Sequence, residues 1–296
     1  MQKGVPELEG MLRGDYKSLA RIISMVENEH PLAAEILLSL NPDYKIPVIG
    51  ITGPPGAGKS TLVNVLLEQL SKSEKKVAVL AIDPSSPFNK GSLLGDRIRM
   101  SKQFNDPHIY IRSIASRGAL GGLSEKTSEI TDVLRSAPFD IILIETVGVG
   151  QSEIDIMGLA DQTVVVLVPE SGDEIQHAKS GLMEIANVFV VNKADREGAD
   201  LFASRLSSML KEKKVDVPVF KTIADRSFGV EKLLDYLFTR ANTGNPLRIE
   251  QLMEKAWRLI QRKRMKNIDK TSLRERIEGQ SRLQGFNLYR FVDDYY

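Results

Sequence analysis

Eight consecutive residues, Gly53-Pro54-Pro55-Gly56-Ala57-Gly58-Lys59-Ser60, have the types and spacing of a loop that grips phosphates. Glycines let the backbone wrap closely and aim successive N–H groups at phosphate oxygens, and the N-terminus of a following helix adds partial positive charge. In such a loop Lys59 reaches the β- and γ-phosphates and the Ser60 hydroxyl ligates Mg²⁺, with Thr61 also counted among the residues that touch the nucleotide. A glycine-rich turn carrying an accidental Lys-Ser is the plain alternative. It fits poorly, because a β-branched run at 46–51 precedes the loop and a helical pattern at 60–70 follows it.

Asn192-Lys193-Ala194-Asp195 directly follows the apolar run Val188-Phe189-Val190-Val191 and carries the groups that read a base. The Asp195 carboxylate can accept hydrogen bonds from the N1–H and the 2-amino group of guanine. Adenine presents neither donor there, so a buried Asp195 facing it would be left unpaired, which is costly. Asn192, Lys193 and Asp195 are therefore expected to hold GTP or GDP, the bland alternative being a polar strand-to-helix turn.

Glu145-Thr146-Val147-Gly148 closes the run 139–145. A carboxylate on a strand end is seldom buried without a partner, so Glu145 is expected in the shell of Mg²⁺ and the Gly148 N–H against the γ-phosphate. GTPases usually place Asp at this point; Glu is one methylene longer and must approach the metal differently. Asp83, at another strand end, and Asp96 are expected near Mg²⁺ or the attacking water, although a D-P turn and a helix cap account for the same residues. Lys59, Asp83, Asp96 and Glu145 make up the expected catalytic set, and Ser60, Asp83 and Glu145 the expected metal ligands. No residue declares itself as an arginine finger; Arg97, Arg99, Arg112 and Arg117 are candidates. The stretch 169–176 reads equally well as a mobile lid or a solvated loop. His30, His108 and His177 are too scattered to suggest a metal site.

These groups need a scaffold that delivers strand ends to one place. Runs at 46–51, 77–82, 108–114, 139–145, 163–168, 188–192 and 217–221 alternate with helical stretches, the pattern of a mostly parallel sheet covered on both faces. No two-residue hairpin separates the strands ending at Asp83 and Glu145, so they can run parallel. Residues 5–45 read as two or three short helices, with Leu19, Ile22, Ile23 and Val26 at helical spacing and Pro31 opening the next helix. Beyond 228 the chain reads helical to about 280, with Trp257 and the basic run 262–266 on one helix that has a packed and a solvated side. The expected organisation is an N-terminal helical extension at 1–45, an α/β P-loop NTPase domain at 46–245 and a C-terminal helical segment at 246–296.

Composition narrows the chemistry. None of the 296 residues is Cys, which excludes disulfides, thiolate metal sites and cysteine nucleophiles. Lys plus Arg number 40 and Asp plus Glu 39, so no global field draws the chain to nucleic acid or an anionic membrane. The apolar runs 141–144 and 164–168 are far shorter than the ~20 residues of a membrane helix, and no signal-peptide core follows the N-terminus, so a cytoplasmic location is expected.

Taken in order, G-I-T-G-P-P-G-A-G-K-S-T, A-I-D-P-S-S-P-F, L-L-G-D-R-I-R-M, I-R-S-I-A-S-R-G-A-L-G-G-L, E-T-V-G-V-G-Q-S-E and V-N-K-A-D resemble the methylmalonyl-CoA mutase-associated GTPases, the MeaB/ArgK family of SIMIBI-class P-loop proteins. The resemblance runs from about residue 8 to 245. It implies a homodimeric GTPase chaperone that protects an adenosylcobalamin-dependent mutase and gates its cofactor loading. It also implies switch segments at 83–100 and 145–155, and a third at 169–179 that communicates with the mutase. The family usually ends in a longer helical arm that takes part in dimerisation, whereas this chain ends in the aromatic tail 286–296. Two other readings are a P-loop kinase, which would not need to read guanine, and a nickel-insertion GTPase, against which the absent Cys and dispersed His argue.

Overall fold

The computed structural model describes residues 5–83, 103, 105–115, 125–146, 156–170, 182–242, 245–282, 285–293 and 295. The chain divides into two compact units, Met1–Asn245 and Pro246–Tyr296.

In the first unit the β-branched runs form seven strands: β1 (Val48–Thr52), β2 (Val77–Asp83), β3 (Ile109–Ala115), β4 (Ile141–Thr146), β5 (Gln162–Leu167), β6 (Val188–Val191) and β7 (Val219–Lys221). They make one sheet in the order β3-β2-β4-β1-β5-β6-β7, and every pairing is parallel. The expected parallel course of the strands ending at Asp83 and Glu145 is observed directly, with Ala81 opposite Glu145. Because all strands point one way, their C-terminal ends share one rim. The chain order reverses around β1, which lies between β4 and β5, and ligands gather at such a reversal.

Alternation along each strand decides which layer it feeds. Ile49, Ile51, Val79, Leu143 and Val164 turn to the face covered by α4 (Lys59–Lys72) and α8 (Val230–Asn242), where they meet Leu62, Leu66, Leu233 and Leu237. Val48, Ala78, Leu80, Ile142 and Ile144 turn the other way, onto α2 (Tyr16–Glu27) and α5 (Glu125–Arg135). Val165, Leu167, Phe189 and Val191 pack on Phe202, Leu206 and Leu210 of α7 (Ala199–Glu212). Burial on both faces explains why the central strands read as continuous Val/Ile/Leu runs rather than alternating ones. The short helix α6 (Leu182–Ile185) precedes β6.

The N-terminal segment folds into three helices, α1 (Pro6–Leu12), α2 and α3 (Ala33–Ser39). Asp15 caps α2 by accepting from the backbone N–H groups of Lys17 and Ser18 and from the Ser18 hydroxyl, which holds its carboxyl below the usual range. Leu19, Ile22, Ile23 and Val26 of α2 are all buried, as their spacing requires. Pro31 does not open α3. It sits in the turn closed by the Ala33 N–H donating to the His30 carbonyl at 2.7 Å, and the helix starts two residues later.

The second unit holds α9 (Arg248–Met265), α10 (Lys270–Ser281) and α11 (Leu288–Asp293). Its aromatic tail is internally packed: Phe291 contacts Phe286 and Tyr295, and the Arg276 guanidinium lies over the Phe291 and Tyr295 rings. The helix bearing Trp257 departs from expectation. No residue of α9 is buried, and Ile249, Met253, Trp257 and Ile260 form an exposed apolar stripe at helical spacing instead of a packed side.

Candidate nucleotide site

The phosphate loop joins β1 to α4, and its shape depends on residues that lack a side chain. Gly53 has φ +136°, and a Cβ there would stand 2.0 Å from the Val166 carbonyl oxygen on β5. Gly58, at φ +86°, would place a Cβ 2.4 Å from Asn192 Nδ2. Both positions demand glycine, for backbone conformation and for close approach. Between them Pro54, Pro55 and Gly56 arch at the surface while Ala57 is buried beneath.

Lys59 is the first residue of α4 and is buried. A buried ammonium requires acceptors. Its Nζ finds them in the loop itself, donating to the carbonyls of Gly53 at 2.8 Å and Pro54 at 2.9 Å, so the charge is held at the loop's mouth. Ser60 Oγ donates to Glu145 Oε1 at 2.6 Å, although the two residues lie 85 apart in sequence. Register delivers that contact: Glu145 stands opposite Ile51, one residue before β1 ends, and Thr146 and Thr52 are tied hydroxyl to hydroxyl at 2.9 Å. Glu145 is buried, so a hydroxyl and a carboxylate meet in a partly dehydrated corner beside the phosphate loop. Thr61, next along α4, is exposed.

Asp83 ends β2, on the strand adjacent to β4. Its side chain, and all of Asp96, Gly148, Arg97, Arg99 and Arg117, lie outside the described residues, as do most of the three expected switch segments. Arg112 is described. It is held in the middle of edge strand β3 by Glu27 at 2.6 Å and Ser24 at 3.2 Å on α2, which commits its guanidinium elsewhere than the phosphate loop.

At the base end, Asn192 is buried and works as a brace. Its amide donates to the Ala57 carbonyl at 2.9 Å, while its oxygen accepts from Thr222 Oγ1 at 3.0 Å and from the Ala224 N–H at 3.1 Å. Lys193, in the left-handed region at φ +55°, reaches back to donate to the Gly56 carbonyl at 2.7 Å. Phosphate loop and base motif are thereby bonded to each other at two points. Asp195 is exposed rather than buried, with the Arg226 guanidinium 3.7 Å from its carboxylate. Thr222 and Ala224, in the loop after β7, had no signal in the sequence, because they act through a hydroxyl and a backbone N–H that only the fold directs at Asn192.

A parallel α/β sheet, a phosphate loop at the reversal point, an acidic neighbouring strand end and an N-K-x-D turn braced to that loop define a guanine-type P-loop nucleotide-binding protein. Residues 19–277 match the model of the family described as methylmalonyl Co-A mutase-associated GTPase MeaB, and the chain belongs to that family. A Pyrococcus abyssi protein named as a GTPase is 47% identical over 77% of this chain and 73% of its own length. The mouse mitochondrial methylmalonic aciduria type A homolog is 38% identical over 62% of this chain and 48% of its own length. Among solved structures, a LAO/AO transport system kinase superposes with a TM-score of 0.64 at 24% identity, covering 89% of this chain and 86% of that one, which shows a shared fold. The protein is thus a GTPase that binds guanine nucleotide. Among the described residues no helix is long and apolar enough to cross a membrane.

Proposed function

We propose that this GTPase hydrolyses GTP to GDP and phosphate with Mg²⁺ and acts as a chaperone of an adenosylcobalamin-dependent methylmalonyl-CoA mutase, protecting it and gating its cofactor loading. The observation that carries the hydrolase half is the double brace, Asn192 to Ala57 and Lys193 to Gly56, which makes base and phosphate recognition one rigid unit. Residues 53–58 wrap the phosphates, Lys59 offers its ammonium to the β- and γ-phosphates, and Thr61 contacts the nucleotide from the first turn of α4. Asp195 accepts from guanine.

The donor set beside the loop suits Mg²⁺. Ser60 and Glu145 supply hard oxygen ligands of the kind the ion prefers, within hydrogen-bond distance of each other. Ser60, Glu145 and Asp83 would hold it. Held there, the ion would supply electrostatic stabilisation of the charge that develops on the phosphates. Asp96 is assigned to orienting the attacking water and the Gly148 N–H to sensing the γ-phosphate.

The partner half rests on the family's description and on the name of the mouse relative. The exposed stripe of α9 supports a dimer formed through residues 246–296, with 1–45 an N-terminal extension of the GTPase domain 46–245 and the protein in the cytoplasm. GTP turnover by the purified protein, measured with Mg²⁺ and with EDTA, alone and with a purified methylmalonyl-CoA mutase, tests both halves. Turnover that needs Mg²⁺ and changes when mutase is added is the expected result. Turnover indifferent to EDTA overturns the metal assignment, and a mutase that neither binds nor alters turnover in GTP or GDP overturns the chaperone role.

A further inference from the structure

The loop after β7 is built more firmly than a surface connection needs. Ile223 and Phe228 exchange backbone hydrogen bonds at 3.1 and 3.2 Å, closing residues 223–228 into a tight turn. The Ala194 N–H donates to the Thr222 carbonyl at 3.0 Å, and Thr222 and Ala224 both donate to Asn192 Oδ1. The turn is therefore fastened to the Asn192–Asp195 motif by backbone and buried polar bonds. It carries Arg226, whose guanidinium stands 3.7 Å from the Asp195 carboxylate. The pair is exposed, 68% for Arg226 and 37% for Asp195, so it contributes little to folding. At that separation it is also too long for a hydrogen bond, which leaves the acceptor positions of Asp195 available to a base.

We propose that Arg226 is a positioning residue for guanine specificity: it balances the Asp195 charge from a fixed platform and keeps the carboxylate aimed at N1–H and the 2-amino group of the base. This rests on the guanine-reading role of Asp195. If it holds, the residue matters most for the donor that distinguishes guanine from hypoxanthine, the 2-amino group. Removing Arg226 takes away the charge that biases the carboxylate's orientation, and a bidentate acceptor suffers more from a lost orientation than one making a single bond.

Dissociation constants of GTP, GDP and ITP for the parent, Arg226→Ala, Arg226→Lys and Asp195→Asn test this. In Arg226→Ala, GTP and GDP are expected to weaken alike, roughly two- to fivefold, with ITP weakened less, so that the GTP-over-ITP preference shrinks. Arg226→Lys keeps the charge without the planar fork and should recover part of the loss. Unchanged affinities in Arg226→Ala, or equal weakening of GTP and ITP, overturn the proposal while a weakened Asp195→Asn leaves the guanine reading intact. Asp195→Asn binding GTP as the parent does would overturn that underlying reading instead.

Discussion

At the scale of single residues, charge is placed by bonds that the protein makes to itself. Lys59 is fixed by two carbonyls of its own loop, so its ammonium already stands where, under the proposed function, phosphate oxygens are to be met. Lys59→Ala removes a charge-assisted donor and should weaken GTP by roughly 1.5–3 kcal/mol and nearly abolish turnover; an affinity and rate equal to the parent's would refute the assignment. The Asp195 carboxylate is 37% exposed, so under the proposed function selectivity for guanine over adenine rests on matching two donors rather than on stranding a buried acceptor. Asp195→Asn reverses one acceptor into a donor facing the 2-amino group. GTP binding should fall steeply and xanthosine triphosphate, with an oxygen there, should gain. Competition between the two nucleotides on the variant decides it. That Gly53, Gly58, Lys59, Ser60 and Glu145 would gather at one loop was legible from residue type and spacing. The Asn192 brace was not, because nothing in a sequence says that a hydroxyl at 222 and an N–H at 224 converge on one amide oxygen.

At the scale of elements, each of the seven strands lies where a β-branched run predicts, and the central ones are apolar throughout because parallel strands there are buried on both faces. Their order around β1 was hidden, because the pairing of β1 with β4 is a matter of crossover geometry that residue types do not encode. Helix α9 shows the opposite failure: its periodicity was legible, but periodicity names an apolar face without naming what covers it. The N-terminal helices meet the sheet through an aromatic cluster of Tyr16, Tyr110 and Phe139, with centroids 5.4 to 6.2 Å apart. Burial pushes the Tyr110 hydroxyl up to about 12, well above the ordinary phenol value. A folded-state value above the unfolded one stabilises the fold fully below pH 10 and is lost as pH rises toward 12, because the unfolded chain gives up its proton first. The loss amounts to about 2–3 kcal/mol. Melting temperature should therefore fall across that alkaline window in the parent and fall less in Tyr110→Phe, which keeps the ring without the ionisable group. Parallel curves for the two proteins would show that the cluster tolerates the phenolate.

At the scale of the whole molecule, the proposed function requires that nucleotide chemistry at one rim be felt by a second protein. A ligand shifts a conformational equilibrium only by its differential affinity for the two states, and GTP and GDP differ by the γ-phosphate alone. Under the proposed function that difference is read by Gly148, Asp83 and Glu145, which belong to β2, β4 and the segments that follow them. The stretch 169–179 follows β5 in the chain and is not among the residues proposed to meet the γ-phosphate or Mg²⁺, so under the proposed function any response there is relayed. Linkage then imposes a quantitative condition. A mutase that prefers the GTP-bound form must raise the protein's affinity for GTP over GDP by the same factor, whereas an effect on the hydrolysis rate obeys no such equality. Asp173 and Lys179, which lie in this stretch, are the substitutions that separate relay from binding. Replacing either with Ala should leave the affinities for GTP and GDP near parental in the protein alone, and should bring the mutase-induced ratio between them toward one. Titrations of both nucleotides with and without mutase, on parent and variants, measure all four sides of the cycle. A ratio that stays parental in both variants would make 169–179 a solvated loop and move the search for the relay to the segments after β2 and β4.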